Sequence, residues 1–141
     1  MNVDTNKLKA QLTVEEGRKG KYYVDTRGIP SIGIGRNLRD VGLSDSEIDF
    51  LYQNDVAKVT SQLFANLPWV FNLDEVRLRV VYDLCFNMGI TKLLTFNRML
   101  AALQFGNYVM AAAELKNSVW DSQVGARATK LETMMRTGQD A

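Results

Sequence analysis

Two acidic side chains and a hydroxyl are spaced through residues 15–38 in a way that suits acid–base chemistry. Glu16 ends a helical pattern directly before Gly17, and Asp25 and Ser31 follow it nine and fifteen residues later. A carboxylate at the carbonyl end of a helix costs about 0.3–1 kcal/mol, because that end carries partial negative charge. An acid placed there without structural gain indicates a functional role.

The residues around Asp25 predict a small hairpin. Asp25 opens and Gly28 closes a four-residue turn, and β-branched and aromatic residues flank it. The hairpin would place Ser31 on the returning strand and bring Glu16, Asp25 and Ser31 to one wall of a cleft. Each feature also has a structural explanation, since Asp is common at the first position of turns and a glutamate pair at a helix end is commonly a solvated surface.

The composition excludes several kinds of enzyme. The 141 residues include no histidine and one cysteine, Cys85. The chain therefore lacks the residues for the usual zinc sites, Ser-His-Asp systems, internal disulfides and thiolate metal clusters, and we expect no metal and no cofactor. Proton transfer would fall to Asp, Glu, Lys or Tyr, and glycoside hydrolysis is the reaction for which two carboxylates suffice.

The charge and hydropathy of the chain exclude two further classes of partner. The net charge is +1, and acidic and basic side chains are balanced in both halves. Duplex-binding domains usually show a basic face, so nucleic-acid binding is not favoured. No apolar run approaches the roughly 18 residues of a membrane span, and the N-terminus lacks the apolar core of a signal peptide. We expect no stable membrane insertion and no export signal.

Periodicity and cap residues predict an α+β, mostly α chain. A first helix runs from Asp4 or Thr5 to Glu16. A second, at about 44–67, begins with a capping box of Ser44 and Glu47 and joins a small β-containing lobe to a helical lobe. The polar segment 36–42 is predicted as a connection. In the helical lobe we expect helices at 72 or 74–88, 95–105, 107–119 and 124–137, with core positions at Cys85, Met99, Met110, Met134 and Met135.

Glu16, Asp25 and Ser31, followed by Ile32-Gly33-Ile34-Gly35, resemble the signature of the phage-type lysozymes. This is the endolysin family, glycoside hydrolase family 24, whose best-known member comes from the T-even phages. Its signature is a catalytic Glu, an Asp nine residues on and a Thr six further. The resemblance covers most of the chain, continuing through Leu73-Asp74, Phe86-Asn87-Met88-Gly89, Phe96, Trp120, Gln123, Arg127 and Arg136-Thr137-Gly138.

The resemblance implies a lysozyme-like, two-lobed fold with the cleft between the lobes. The β-containing lobe would span about 17–43, the linking helix about 44–67 and the helical lobe about 68–141. The N-terminal helix, residues 4–16, would pack on the helical lobe.

The resemblance also implies roles for the three residues. Glu16 would be the general acid that protonates the glycosidic oxygen between N-acetylmuramic acid and N-acetylglucosamine in peptidoglycan. Asp25 would activate water on the opposite sugar face and Ser31 would hold it, giving inversion with the carboxyls about 6.5–9.5 Å apart. Serine in place of threonine keeps the hydroxyl but loses the methyl group that restricts its rotamer.

Supporting residues follow from the same resemblance. Phe86, Asn87 and Gln123 would bind substrate, and Arg127 would pair with Glu16. Arg36 replaces the family's histidine, and we predict that it pairs with Asp55 in a contact that does not depend on pH.

The expected setting is that of an endolysin. The enzyme would be a monomer in the host cytoplasm, released to the periplasm and wall through a holin or similar lesion. The alternative is a non-catalytic or decayed peptidoglycan-binding protein on the same scaffold.

Overall fold

The computed structural model describes residues 2–141 and contains mostly helices with one small antiparallel sheet. The chain divides into two compact units, the first ending at Leu51 and the second comprising Tyr52–Ala141. The predicted fold class, α+β and mostly α, is confirmed. The predicted packing of the first helix on the helical lobe stays a prediction.

The elements follow one another in the order helix, sheet, helices. The helices are α1 Thr5–Glu16, α2 Asp45–Asn66, α3 Glu75–Met88, α4 Ile90–Leu93, α5 Asn97–Phe105, α6 Tyr108–Lys116, α7 Val119–Val124 and α8 Ala126–Thr137, and the strands are β1 Lys19–Val24, β2 Pro30–Gly33 and β3 Arg36–Asn37. A 3₁₀ turn occupies Pro68–Asn72. Within residues 2–141, no helix combines the length and the apolar character that a membrane crossing needs.

In the first unit, α1 has its predicted bounds and ends at the predicted Gly17 cap. The Asp4 carboxylate accepts hydrogen bonds from the backbone N–H groups of Asn6 and Lys7, both at 3.0 Å, and Gly17 ends the helix with a φ of +81°. The first four backbone N–H groups of a helix have no partner within the helix, so an aspartate that accepts from two of them stabilises α1.

The sheet has the order β1–β2–β3, with antiparallel pairing throughout. Ser31 on β2 lies opposite Tyr23 on one side and opposite Asn37 on the other. The third strand was not predicted, because two residues are too few to show an alternating pattern.

The predicted capping box at the start of α2 is confirmed. The Ser44 backbone N–H donates to Glu47 Oε1 at 2.9 Å, and the Glu47 N–H donates to Ser44 Oγ at 3.3 Å. These reciprocal bonds satisfy two backbone donors and fix where the helix begins.

The core of the second unit is formed chiefly by buried side chains of α3, α5, α6 and α8, together with Val59 and Leu63 of α2. Cys85, Met99, Met134 and Met135 are buried as predicted. Met110 is not: it is 53% exposed, because α6 turns Ala111, Ala112 and Leu115 inward instead.

The C-terminal helices break where the sequence prediction continued them. The helix predicted at 107–119 ends at Lys116, because the Ser118 hydroxyl accepts from the Asp121 N–H and so begins a separate helix, α7. The four-residue helix α4 was also not predicted, since it is shorter than the apolar repeat that identifies a helix.

Candidate active site

Asp25 occupies the tight turn that follows β1. Its Oδ1 accepts from the backbone N–H groups of Arg27, at 2.8 Å, and Ile29, at 2.9 Å. The Arg27 guanidinium lies 3.5 Å from Oδ2. The Ile29 N–H holds the pKa of Asp25 below its ordinary value, with Arg27 adding to the effect and partial burial opposing it. The turn therefore keeps this carboxyl ionised.

Ser31 is joined to the same turn through Ile29. The side chain is buried, and its hydroxyl donates to the Ile29 carbonyl oxygen at 3.2 Å. The Ile29 carbonyl also accepts from the Asp25 N–H at 2.9 Å. The structure thus brings Asp25 and Ser31 together around one peptide segment.

Glu16 is the last residue of α1, and its side chain lies against Gly35. A Cβ added at Gly35 would be 3.0 Å from Glu16 Oε2 and 3.3 Å from Glu16 Cβ, and Gly35 has a φ of +69°. Both the backbone conformation and the closeness of Glu16 require glycine here. Gly35 belongs to the Ile32-Gly33-Ile34-Gly35 motif of the sequence, but its contact with Glu16 was not predicted.

Glu16 and Asp25 thus have different environments within the first unit. Asp25 has its position fixed by backbone donors, which stabilise the charged form. Glu16 is exposed, and its carboxyl group lies against Gly35. An ionised carboxylate of fixed orientation suits a general base, and an exposed carboxyl can reach the oxygen of a substrate.

Arg36 bonds to a carboxylate of its own unit, and its predicted pairing with Asp55 of the second unit stays a prediction. Arg36 Nη1 lies 2.8 Å from the Glu47 carboxylate and donates to the Gly42 carbonyl at 3.1 Å. The capping box already holds Glu47 at the start of α2, so its carboxylate is available to a cation on β3. Arg36, followed by the Ser44 donors, lowers the pKa of Glu47 to about 2.

Arg127 bonds to a carboxylate of its own unit, and its predicted pairing with Glu16 of the first unit stays a prediction. Arg127 is hydrogen-bonded to Asp83 through Nε, at 2.9 Å, and through Nη2. Asp83 lies on α3 and Arg127 on α8, and these two helices pack together in the second unit. The arginine therefore links two helices of the second unit.

The predicted substrate-binding residues all lie in the second unit. The Phe86 ring is 40% exposed and stacks on Tyr52, with centroids 6.4 Å apart. Both rings line a groove of about 440 Å³. Asn87 Oδ1 accepts from the indole N–H of Trp120 at 2.5 Å, which ties α3 to α7. Gln123 is exposed on α7.

A family model described as phage lysozyme matches residues 13–136, which include Glu16, Asp25 and Ser31. The chain belongs to the phage lysozyme family. Membership places it among the lysozyme-type glycosidases.

Relatives agree with this assignment. Probable T4-type lysozymes 1 and 2 of Dictyostelium discoideum are 28% and 27% identical to the chain over 160 residues, each covering 93% of the chain and 94% of the relative. The pre-baseplate central spike protein Gp5 of Enterobacteria phage T4 is 24% identical over 152 residues, which are 88% of this chain and 26% of that protein.

The contact between Glu16 and Gly35 can be tested with a matched pair of glycine variants. Gly33→Ala and Gly35→Ala both place a side chain at a positive φ, +68° and +69°, and should each lose about 1–2 kcal/mol of unfolding free energy. The space around Gly33 is open, so only Gly35→Ala should also displace Glu16 and lower wall-degrading activity. Equal activity in the two folded variants would contradict this account.

The Arg36–Glu47 pair should make the lysozyme sensitive to acid. Because the pKa of Glu47 is depressed, the pair's contribution to stability is present above pH 4.5 and is lost as the pH falls towards about 2. Glu47→Gln should therefore unfold at lower urea concentration than wild type at pH 7, with the two midpoints converging near pH 2. Asp49 is a neighbouring exposed acid of α2, and Asp49→Asn is the control. The difference between its urea midpoint and that of wild type should not change with pH.

Proposed function

We propose that this lysozyme is a muramidase, which hydrolyses the β-1,4 bond between N-acetylmuramic acid and N-acetylglucosamine in peptidoglycan. The observation that supports this most is the contrast between its two carboxyls. One carboxylate oxygen of Asp25 accepts hydrogen bonds from two backbone N–H groups, whereas Glu16 lies against Gly35 at an exposed helix end. Glycoside hydrolysis uses two carboxyls in different roles, one that donates a proton and one that remains charged.

In the proposed mechanism Glu16 donates its proton to the glycosidic oxygen as the bond to the anomeric carbon breaks. The sugar oxygen leaves as a hydroxyl group, and positive charge develops on the anomeric carbon. The glycine at position 35 leaves room for the carboxyl to turn towards the leaving oxygen, since no side chain stands beside it.

Asp25 would act as the base on the opposite sugar face. A water molecule donates one hydrogen to Asp25 Oδ2 and attacks the anomeric carbon, and inversion of configuration results. The Ser31 hydroxyl donates to Ile29 but keeps lone pairs that can accept the second hydrogen of this water. The proton released in the attack goes to Asp25.

Phe86, Asn87 and Gln123 would bind the glycan strand. The exposed Phe86 ring offers an apolar face for a sugar ring. Asn87 uses its amide oxygen to accept from Trp120, so its NH₂ group keeps two donors for sugar hydroxyls or acetamido groups.

In the cell the protein would act as an endolysin. We propose a monomeric, bacteriolytic enzyme that stays in the host cytoplasm until a holin opens the membrane and admits it to the wall.

A second candidate is a protein that binds peptidoglycan without cutting it. The burial of Ser31 favours this candidate, because the residue is 3% exposed and its hydroxyl is bonded to Ile29, which makes it less accessible to a catalytic water. The two candidates make different predictions for released products.

Substitutions that remove one carboxyl at a time test the muramidase. Glu16→Gln should lower the rate of clearing of purified sacculi by about 10²–10⁴-fold, because a general acid contributes that much. Glu15→Gln is the matched control on the same helix end, where Glu15 accepts from Gln11. Asp25→Asn should be equally inactive but remain folded, since an amide oxygen can still accept from Arg27 and Ile29.

Mass analysis of the released muropeptides decides between the candidates. A reducing-end muramic acid supports the proposed hydrolysis, and an anhydro product would instead indicate transglycosylation. Sedimentation with sacculi without any release would support the binding protein. Equal clearing by Glu16→Gln and wild type would contradict the role of Glu16.

A further inference from the structure

Two exposed aromatic rings lie side by side in the groove of about 440 Å³ in the second unit. Tyr52 of α2 and Phe86 of α3 have ring centroids 6.4 Å apart and ring planes that differ by 27°. The two residues are 60% and 40% exposed. Together they present a contiguous apolar surface to solvent, and such surfaces mark ligand-binding grooves and interfaces.

The wall beside the two rings is apolar and held in place. It is formed by Val56, Leu78 and Tyr82. The Thr60 hydroxyl donates to the Val56 carbonyl oxygen at 2.8 Å, so the Tyr82 hydroxyl, 2.7 Å from Thr60 Oγ1, donates to Thr60. This bond fixes the Tyr82 ring as part of the wall. A site whose walls are already in place loses less entropy when a ligand binds.

The charged side chains of the groove are paired with one another. Arg79 donates to both carboxylate oxygens of Glu75, each at 2.9 Å, and its Nη1 donates to Asp140 at 2.7 Å. Arg127 donates to Asp83 through Nε, at 2.9 Å, and through Nη2. The charged residues that line the groove are two arginines and two acids, which add no net charge. This arrangement is complementary to a neutral ligand rather than to a polyanion or a cationic peptide.

Asp83 keeps one acceptor for such a ligand. Within residues 2–141, both bonds from Arg127 end on Asp83 Oδ1, which leaves Oδ2 able to accept from a hydroxyl or an amide N–H. Both oxygens of Glu75, by contrast, are already bonded to Arg79. A groove of this volume, with aromatic walls and a few directed polar groups, has the usual form of a small-ligand site.

We infer that Tyr52 and Phe86 form a two-ring platform for one sugar ring of the glycan strand, with Asp83 Oδ2 accepting from a hydroxyl or acetamido N–H of that sugar. A pyranose has apolar faces of C–H groups and a rim of hydroxyls, so it is complementary to an apolar platform beside a carboxylate. Tyr52 is then a substrate-binding residue that the sequence motifs did not indicate. This inference rests on the proposed function, because it states where the same glycan binds.

Binding of a soluble, peptide-free glycan fragment measures the platform directly. Calorimetric titration is done in a Glu16→Gln background, which leaves the fragment uncut. Tyr52→Leu should raise the Kd by about 3–10-fold, because one aromatic contact with the ligand is lost. Tyr52→Phe keeps the ring and should bind as the background protein does. Phe64→Leu is the matched control, since Phe64 is a 69% exposed aromatic residue of the same helix that does not line the groove, and it should leave the Kd unchanged.

Further variants test whether the parts of the platform act on one sugar. Phe86→Leu should also raise the Kd, and the double variant with Tyr52→Leu should raise it by less than the product of the two single effects, because both rings contact the same sugar. Asp83→Asn should raise the Kd several-fold, because the charged acceptor is lost. Glu75→Gln should not, since both of its oxygens are bonded to Arg79. If Tyr52→Leu fails to fold, Phe86→Leu and Asp83→Asn provide the test.

Three results would overturn the inference: an unchanged Kd in Tyr52→Leu, an equal rise in Tyr52→Phe, or displacement of the glycan fragment by a free stem peptide, which would make the peptide the occupant. Failure of the proposed function looks different. A protein that binds the fragment through Tyr52 but releases no product from sacculi would contradict the muramidase and support the platform. One that releases product while Tyr52→Leu binds normally would do the reverse.

Discussion

The turn between β1 and β2 depends on one carboxylate oxygen that accepts hydrogen bonds from two backbone N–H groups. These bonds from Arg27 and Ile29 to Asp25 Oδ1 close the turn, and the Asp25 N–H bond to the Ile29 carbonyl sets where the strands begin to pair. The pairing in turn places Ser31 opposite Tyr23. The same donors stabilise the negative charge on Asp25, so the interaction that shapes the hairpin also fixes the ionisation of its carboxyl.

Glutamate side chains differ in pKa from one part of the structure to another, because different groups surround them. Glu47 accepts from Arg36 and from the Ser44 backbone, and its pKa falls to about 2. Partial burial, followed by the effect of the Asp121 carboxyl, raises the pKa of Glu132 to about 7. The difference is set by which groups the fold provides and not by the glutamate itself. A chain without histidine can therefore still place a titration near neutrality.

Local signals in the sequence predicted the features that depend on local bonds. The cap of α1, the capping box of α2 and the hairpin around Asp25 each involve residues within a few positions of one another, and all three were found. The bonds of Arg36 with Glu47 and of Arg127 with Asp83 were not predicted, because several carboxylates lie within the reach of an arginine and the packing of elements selects among them.

The motif Arg136-Thr137-Gly138 shows that a family resemblance does not by itself indicate chemistry. Arg77 donates to the carbonyl oxygens of Met135 and Arg136, at 2.7 and 3.1 Å, and so satisfies the end of α8. A Cβ at Gly138 would lie 2.9 Å from Arg77 Nη1, and Gly138 has a φ of +69°. The glycine is therefore required by a guanidinium from α3 and by the left-handed end of a helix. Gly35 meets the same two demands in the first unit, but there the close neighbour is Glu16, and this difference in neighbour makes one glycine structural and the other part of the candidate active site.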